Sequence, residues 1–298
     1  MVTPIVLTDE DVRRRADMGR AIARVAEFLA APHVTPARHR VGFGGTTELV
    51  VATGGNSEIA GMRAYFSRAT RHFDDQVVMV WDMASGALRG VVLGHELGVL
   101  RMGAIGGVAI DALAPIDAQS LAIIGTGRQA RAHVAAAMAV RDIRDVRVFG
   151  RDAGRLQGFA AEVAATHGIA VRAAGSAREA VEGAEIVVLA TTSLRPVVEA
   201  EWLDGCRLIH TVGFKSPAGK EMGLDVPERA VAIVTDSPEQ MADFGPKFIL
   251  AGTAHAERVL PLAEFVAGVR PRPDGLVVCY PLGIAGSDVV VADEILSR

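Results

Sequence analysis

Ser120-Leu-Ala-Ile-Ile-Gly-Thr-Gly-Arg-Gln-Ala130 is the stretch from which the fold can be read. Leu121 to Ile124 is a short apolar run of strand type. It meets Gly125-x-Gly127-x-x-Ala130, and the residues beyond read as helix to about Val140. A second strand, Val146 to Phe149, closes the unit. Strand, glycine turn, helix and strand within about 30 residues is the arrangement that holds a dinucleotide pyrophosphate. Gly125 permits the tight turn and Gly127 lets backbone approach the phosphates. Ala130, where a third glycine would stand, keeps helix and strand close. Thr126, Arg128 and Gln129 complete the turn, and the helix N-terminus offers free N–H groups to an anion.

The end of the second strand bears on which dinucleotide. NAD-binding versions place Asp or Glu there to hold the ribose 2′-OH. Here the strand ends Phe149-Gly150-Arg151, with no acid, and the planar fork of Arg151 suits a 2′-phosphate. Asp152 follows directly and argues the other way. The expectation is NADP(H) over NAD(H).

The chain has 298 residues, half of them hydrophobic and 5% aromatic. That length predicts one to two domains with a large core, and the Ala, Val, Leu and Gly bias fits buried parallel strands. A net charge of −4 argues against a nucleic-acid or acidic-membrane surface. Apolar runs long enough to span a membrane are missing, and Met1-Val-Thr-Pro-Ile5 has no secretory pattern, so a cytoplasmic protein is expected. Cys206 and Cys279 lie far apart without metal-ligand spacing and read as two reduced thiols.

Thr8-Asp-Glu-Asp-Val12 starts a helix running to about Ala30. Residues 38–95 read as strand-rich, with runs at 48–53, 61–66, 76–82 and 88–93 and a hairpin turn at 84–87. Small residues dominate from Leu100 to Leu113, which predicts a closely packed helix. After Arg151 strands and helices alternate, with strands at 170–173, 185–191, 206–212, 230–235 and 276–279. The fold class that follows is α/β: a Rossmann-type doubly wound parallel sheet plus a smaller α+β substrate and dimerisation domain. The boundaries expected are 1–113 with 276–298 for the smaller domain and 114–275 for the dinucleotide domain.

Further stretches carry a resemblance. They are Leu100-Arg-Met-Gly-Ala-Ile-Gly-Gly-Val-Ala109, Ala122-Ile-Ile-Gly-Thr-Gly-Arg-Gln-Ala-Arg131, Ile209-His-Thr-Val-Gly213 leading to Gly219-Lys-Glu221, Thr235-Asp-Ser-Pro-Glu-Gln240, and Leu282-Gly-Ile-Ala-Gly-Ser-Asp-Val289. In this order they resemble the ornithine cyclodeaminase/μ-crystallin family over residues 100–298. The resemblance implies a homodimer of two-domain subunits that exchanges a hydride with the α-carbon of a small amino or imino acid. It implies cations for the substrate carboxylate at Arg38 (or Arg40), Arg63 and Arg101. Arg63 stands where the family has Lys; it keeps the charge but cannot give up a proton. Lys215 occupies the position where cyclodeaminases carry a catalytic Asp, and a lysine there is suited to protonate an imine nitrogen. Asp236, after the strand at 230–235, is a second acid–base candidate, with helix capping as its structural alternative. Thr191, Thr192 and Val212 are implied to border the nicotinamide end of the cofactor. His95 lacks a second histidine at helical spacing for zinc but is a pocket candidate, and His133 reads as an exposed residue of the fingerprint helix. Three functions remain open: an NAD(P)H-dependent imino- or amino-acid reductase, a cyclodeaminase-type lyase with recycled NAD, and a non-catalytic NADP(H)-binding protein.

Overall fold

Alternating apolar residues between Glu48 and Leu93 form one kind of sheet, and continuous apolar runs after Ser120 form another. The computed structural model of the chain describes residues 3–45, 47–68 and 71–298. The pair Met1-Val2, part of the stretch read for a leader, lies outside the described residues. Two units result: Met1–Ile105 with Gly283–Arg298, and Gly106–Leu282.

The first unit contains β1 (Ile5–Leu7), α1 (Asp9–Arg15), α2 (Met18–Ala30), β2 (His39–Gly42), β3 (Glu48–Gly55), β4 (Ile59–Arg68), β5 (Arg71–Asp82), β6 (Leu88–Leu93) and the first part of α3 (Glu96–Leu113). Its sheet runs β1-β6-β5-β4-β3-β2, antiparallel except for the parallel β1–β6 pair. Val50, Ala52, Ile59, Val78, Val80 and Val92 point to a buried face. The C-terminal helix, Ser287–Leu296, covers that face and packs on α2. The single helix expected from Thr8 to Ala30 is two helices. Ala16 leaves helical geometry, and the Asp17 carboxylate accepts the Arg20 N–H at 3.1 Å, restarting the chain as a new helix.

The second unit contains β7 (Ser120–Ile124), α4 (Arg128–Val140), β8 (Asp145–Phe149), α5 (Ala153–His167), β9 (Val171–Ala173), α6 (Ala177–Val181), β10 (Ile186–Leu189) and β11 (Leu208–Thr211). A small antiparallel hairpin follows, β12 (Lys215–Ser216) and β13 (Gly219–Lys220). Then come α7 (Asp225–Arg229), β14 (Ala232–Thr235), α8 (Pro238–Phe244), β15 (Val259–Pro261), α9 (Leu262–Val266) and β16 (Val277–Cys279). The main sheet has the order β15-β14-β16-β11-β10-β7-β8-β9 and every pair is parallel. Strands β10, β11, β14 and β16 are buried throughout, as strands covered on both faces must be. The chain leaves β7 toward β8 and β9, then returns to place β10 on the other side of β7. That reversal puts the carboxyl ends of β7 and β10 side by side at a topological switch point.

The boundaries differ from those read in the sequence. Strand β16 lies between β11 and β14, so residues 276–282 belong to the parallel-sheet unit and not to the smaller one. An apolar run of three residues carries no mark of which sheet it joins. The other crossing falls at Ile105/Gly106, inside a continuous helix, Glu96–Leu113, rather than after Leu113. Among the described residues no helix is long and apolar enough to cross a membrane.

Candidate active site

At the end of β7 the chain turns on Gly125, whose φ is +122°. Its N–H donates to Phe149 O at 2.8 Å, and a Cβ there would lie 2.2 Å from Ala190 O. A side chain is therefore excluded by conformation and by the neighbouring strand end alike. Gly127 caps α4, and a Cβ at this position would meet nothing within 4 Å. Space that the chain itself leaves open, beside the N-terminus of a 13-residue helix, fits the diphosphate of a dinucleotide. Ala130 is fully buried against the sheet, as the third position of the fingerprint requires. Thr126 and Gln129 are half-buried, while Arg128 is exposed.

Adjacent strand ends carry the remaining cofactor candidates. Ala190 donates to Ile124 O and Val212 to Leu189 O, both at 2.8 Å, so Gly125, Thr191 and Val212 end three neighbouring strands. Thr192 is exposed. The element that organises this edge is Glu221, a residue quoted in the sequence without a role. It is buried and accepts four hydrogen bonds. Oε1 takes the Thr191 N–H at 2.6 Å and its hydroxyl at 2.8 Å. Oε2 takes the Thr211 hydroxyl at 2.7 Å and the Gly213 N–H at 2.6 Å.

Lys215 opens the hairpin beyond β11. Its Nζ donates to Val212 O at 3.0 Å and Gly213 O at 2.8 Å. Burial pushes the ammonium down to about 8, while Glu221 and Asp236 pull in the opposite direction. Asp236 is buried and accepts the Leu282 N–H at 2.6 Å. The helix after it is capped by Ser237 instead, whose Oγ accepts the Gln240 N–H. His133 corrects an expectation: it is fully buried rather than exposed. Its spacing from Ala130, Val134 and Ala137 puts it on the sheet-facing side of α4. Its Nδ1–H donates to Gln129 O at 2.8 Å, and its ring centre lies 5.1 Å from that of His210 on β11. Burial pushes His133 down to about 4 and His210 well below the ordinary range, so both imidazoles are neutral at pH 7.

Between the end of β8 and the first residue of α5, Arg151 is exposed. Asp152 is committed to the fold: it caps α5, its carboxylate accepting the Arg155 N–H at 2.9 Å.

The first unit gathers the three arginines. Asp288 is buried in the first turn of the C-terminal helix. Arg101 Nε lies 3.0 Å from one carboxylate oxygen and Arg63 Nη1 3.5 Å from the other. Arg63 donates from Nε to Gln76 Oε1 at 2.9 Å, and its guanidinium carbon lies 4.5 Å from the centre of the Tyr65 ring. Arg101 donates from Nη1 to the Met102 thioether, a weak acceptor. Arg38, half-buried, donates to Gly283 O at 2.8 Å. Arg63 and Arg101 are each only 5% exposed. Burial pushes Arg63 down to about 10, against the pull of Asp288, and leaves it charged at pH 7. Burial also works against the Asp288 carboxylate, but Arg101, Arg63 and Arg38 outweigh it and hold its pKa below the usual range. Three guanidiniums sharing one carboxylate form a positive group suited to a carboxylate ligand. Arg40 lies outside it, paired with Glu48 at 3.0 Å. His95 is held by Asp9, whose Oδ1 accepts the N–H groups of His95 and Glu96 at 2.8 Å and caps the helix there.

The model of the ornithine cyclodeaminase/mu-crystallin family matches residues 54–298. The chain belongs to that family. Ketimine reductase mu-crystallin of Macropus fuliginosus is 29% identical over 216 residues, covering 72% of this chain and 66% of that protein. A Rhizobium meliloti protein named as a dehydrogenase is 32% identical over 205 residues, and the match spans 62% of its length. A Delta(1)-pyrroline-2-carboxylate reductase of Bacillus cereus is 26% identical over 317 aligned positions, covering 99% and 96% of the two chains. Among solved structures, the Thermococcus litoralis Delta(1)-pyrroline-2-carboxylate reductase in complex with NADH and L-proline superposes with a TM-score of 0.84 at 24% identity, over 98% of this chain and 96% of that one. The likeness of fold to that reductase covers nearly the whole chain, whereas the family model begins at residue 54.

Replacing Glu221 by Gln would turn an –NH2 group toward one backbone N–H and one hydroxyl. The variant should lose about 2–4 kcal/mol of stability, read from urea unfolding followed by circular dichroism.

Proposed function

We propose that this chain is an NADP(H)-dependent reductase of a small α-imino acid, of the ketimine or pyrroline-carboxylate type. The observation that carries the proposal is the positive group of Arg63, Arg101 and Arg38 around Asp288, in a chain that also has the dinucleotide turn. A carboxylate with an adjacent C=N bond is the substrate that needs both. The names of two of the relatives support this choice, one a ketimine reductase and the other a Delta(1)-pyrroline-2-carboxylate reductase.

Bound at the β7 turn, a reduced nicotinamide supplies the hydride. Gly125 to Ala130 hold the diphosphate, and Thr191, Thr192 and Val212 border the nicotinamide end. Arg151 receives the 2′-phosphate, a preference supported by the use of Asp152 as a helix cap. Arg101 takes the substrate carboxylate with Arg63 and Arg38. Arg63, a guanidinium held by Gln76 and Tyr65, binds and orients but moves no proton. Lys215 Nζ delivers a proton to the substrate nitrogen, and Asp236 favours the charged ammonium. A cyclodeaminase needs a carboxylate base where this chain has Lys215.

The second copy is part of the proposal. Strands β2 to β6 leave one face bearing Leu49, Val51, Met62, Val77 and Met79, half-buried, with Phe66 48% exposed. A two-fold partner would cover it, giving a homodimer. We assign the protein to the cytoplasm, where its two buried thiols would stay reduced.

Assayed with a panel of cyclic imino acids, the protein should oxidise NADPH in proportion to amino acid formed. Ornithine converted to proline and ammonia without net change in nicotinamide absorbance would overturn the reductase reading. Arg101→Ala should cost about 2–4 kcal/mol of transition-state binding, roughly 30- to 1000-fold in kcat/KM, mostly through KM. Reduction should slow as pH rises through about 8, where Lys215 loses its proton, and Lys215→Ala should lower kcat and abolish that limb. Arg151→Ala should weaken NADPH binding and spare NADH; equal loss for both would refute the 2′-phosphate assignment. Sedimentation at micromolar concentration should give a dimer, and a monomer would refute the pairing.

A further inference from the structure

Arg131 lies one turn into α4 and makes three directed contacts. Its Nε and Nη2 donate to the two carboxylate oxygens of Glu162 on α5, at 2.7 and 2.6 Å. Its guanidinium carbon lies 5.1 Å from the centre of the Phe159 ring. Its Nη1 donates to Thr126 O, inside the glycine turn, at 3.1 Å. The side chains of Arg131 and Glu162 are 40% and 49% exposed. Exposed pairs contribute little to folding stability, so the fold alone gives small reason for such a constrained fork.

The bond to Thr126 O has a geometric consequence. Thr126 O and the Gly127 N–H belong to one peptide plane and point in opposite directions across it. A carbonyl held toward Arg131 therefore turns the Gly127 N–H away from Arg131. A Cβ at Gly127 would meet nothing within 4 Å, so the surroundings of that residue are open. If the plane flipped, a carbonyl oxygen would take the place of the donor and repel an anion. The brace also reaches α5, whose first residue follows the cap Asp152 and hence Arg151.

We propose that Arg131, braced by Glu162, is a positioning residue that fixes the Thr126–Gly127 peptide so that the Gly127 N–H is presented to the diphosphate of the dinucleotide. The proposal rests on the dinucleotide reading above. Arg131 itself touches only the protein.

Equilibrium binding of NADPH and of NADH, followed by nucleotide fluorescence, tests this alongside the melting temperature of each unliganded protein. Arg131→Met keeps an aliphatic stem over Phe159 but donates nothing. It should weaken both cofactors alike, by roughly 10-fold, with little change in melting temperature. Glu162→Gln should act in the same direction to a smaller extent, and the double variant should be no weaker than Arg131→Met. Arg131→Lys should recover part of the loss. The equal effect on the two nucleotides separates this role from that of Arg151. Undiminished binding by Arg131→Met, or weaker binding matched by a drop in melting temperature in both single variants, would overturn the proposal. Failure of the wild-type protein to bind either nucleotide would instead overturn the dinucleotide reading, and this inference with it.

Discussion

Asp288 is the constraint on which the arginine group depends. Arg63 comes from β4, Arg101 from the helix that begins at Glu96, and Arg38 from the segment before β2. Like charges this well buried repel strongly unless an acid is held among them. Asp288 supplies it from the first turn of the C-terminal helix, where the helix dipole also favours an anion. Glu221 does a different job with the same functional group. Its carboxylate takes two backbone N–H groups and two hydroxyls, and so ties the ends of β10 and β11 together. One buried carboxylate gathers cations; the other fixes the backbone at two adjacent strand ends.

The parallel-sheet unit was legible because its signals are local. A glycine turn between a strand and a helix occupies a few consecutive residues, and buried parallel strands appear as unbroken apolar runs. Signals that require a distant partner were not legible. Strand β1 is three residues long and exists because Ile5, Val6 and Leu7 find Gly90, Val91 and Val92. Glu221 and Asp288 both stood in quoted motifs, yet their partners lie up to 250 residues away in the chain, as with Arg38. The burial of His133 could have been found. Counting helical positions from Ala130 and Val134 places it on the inner face, whereas its polarity suggested solvent.

The charge on Lys215 is a balance among buried neighbours. Burial favours the neutral amine, and Glu221 and Asp236 favour the ammonium. His210 and His133 are also in its electrostatic surroundings, and a proton on either would add a repulsive charge. Both rings stay neutral at pH 7, so the lysine titrates against carboxylates rather than against other cations. Arg63 has no such latitude. In this chain the arginine group therefore carries fixed charge, whereas the charge on Lys215 is set by its buried neighbours.

The order in which the two units become complete follows from the C-terminal helix. Residues Gly106–Leu282 are continuous, so the parallel sheet has every strand in hand once they have left the ribosome. The first unit has to wait. Its six strands are made early, but the helix that covers their apolar face, and the carboxylate that reconciles its arginines, belong to residues synthesised after the whole of the parallel sheet. During translation the N-terminal sheet is an uncovered apolar surface with buried-to-be charges still in water. The nascent chain thus carries its first-made sheet as the later one to be covered.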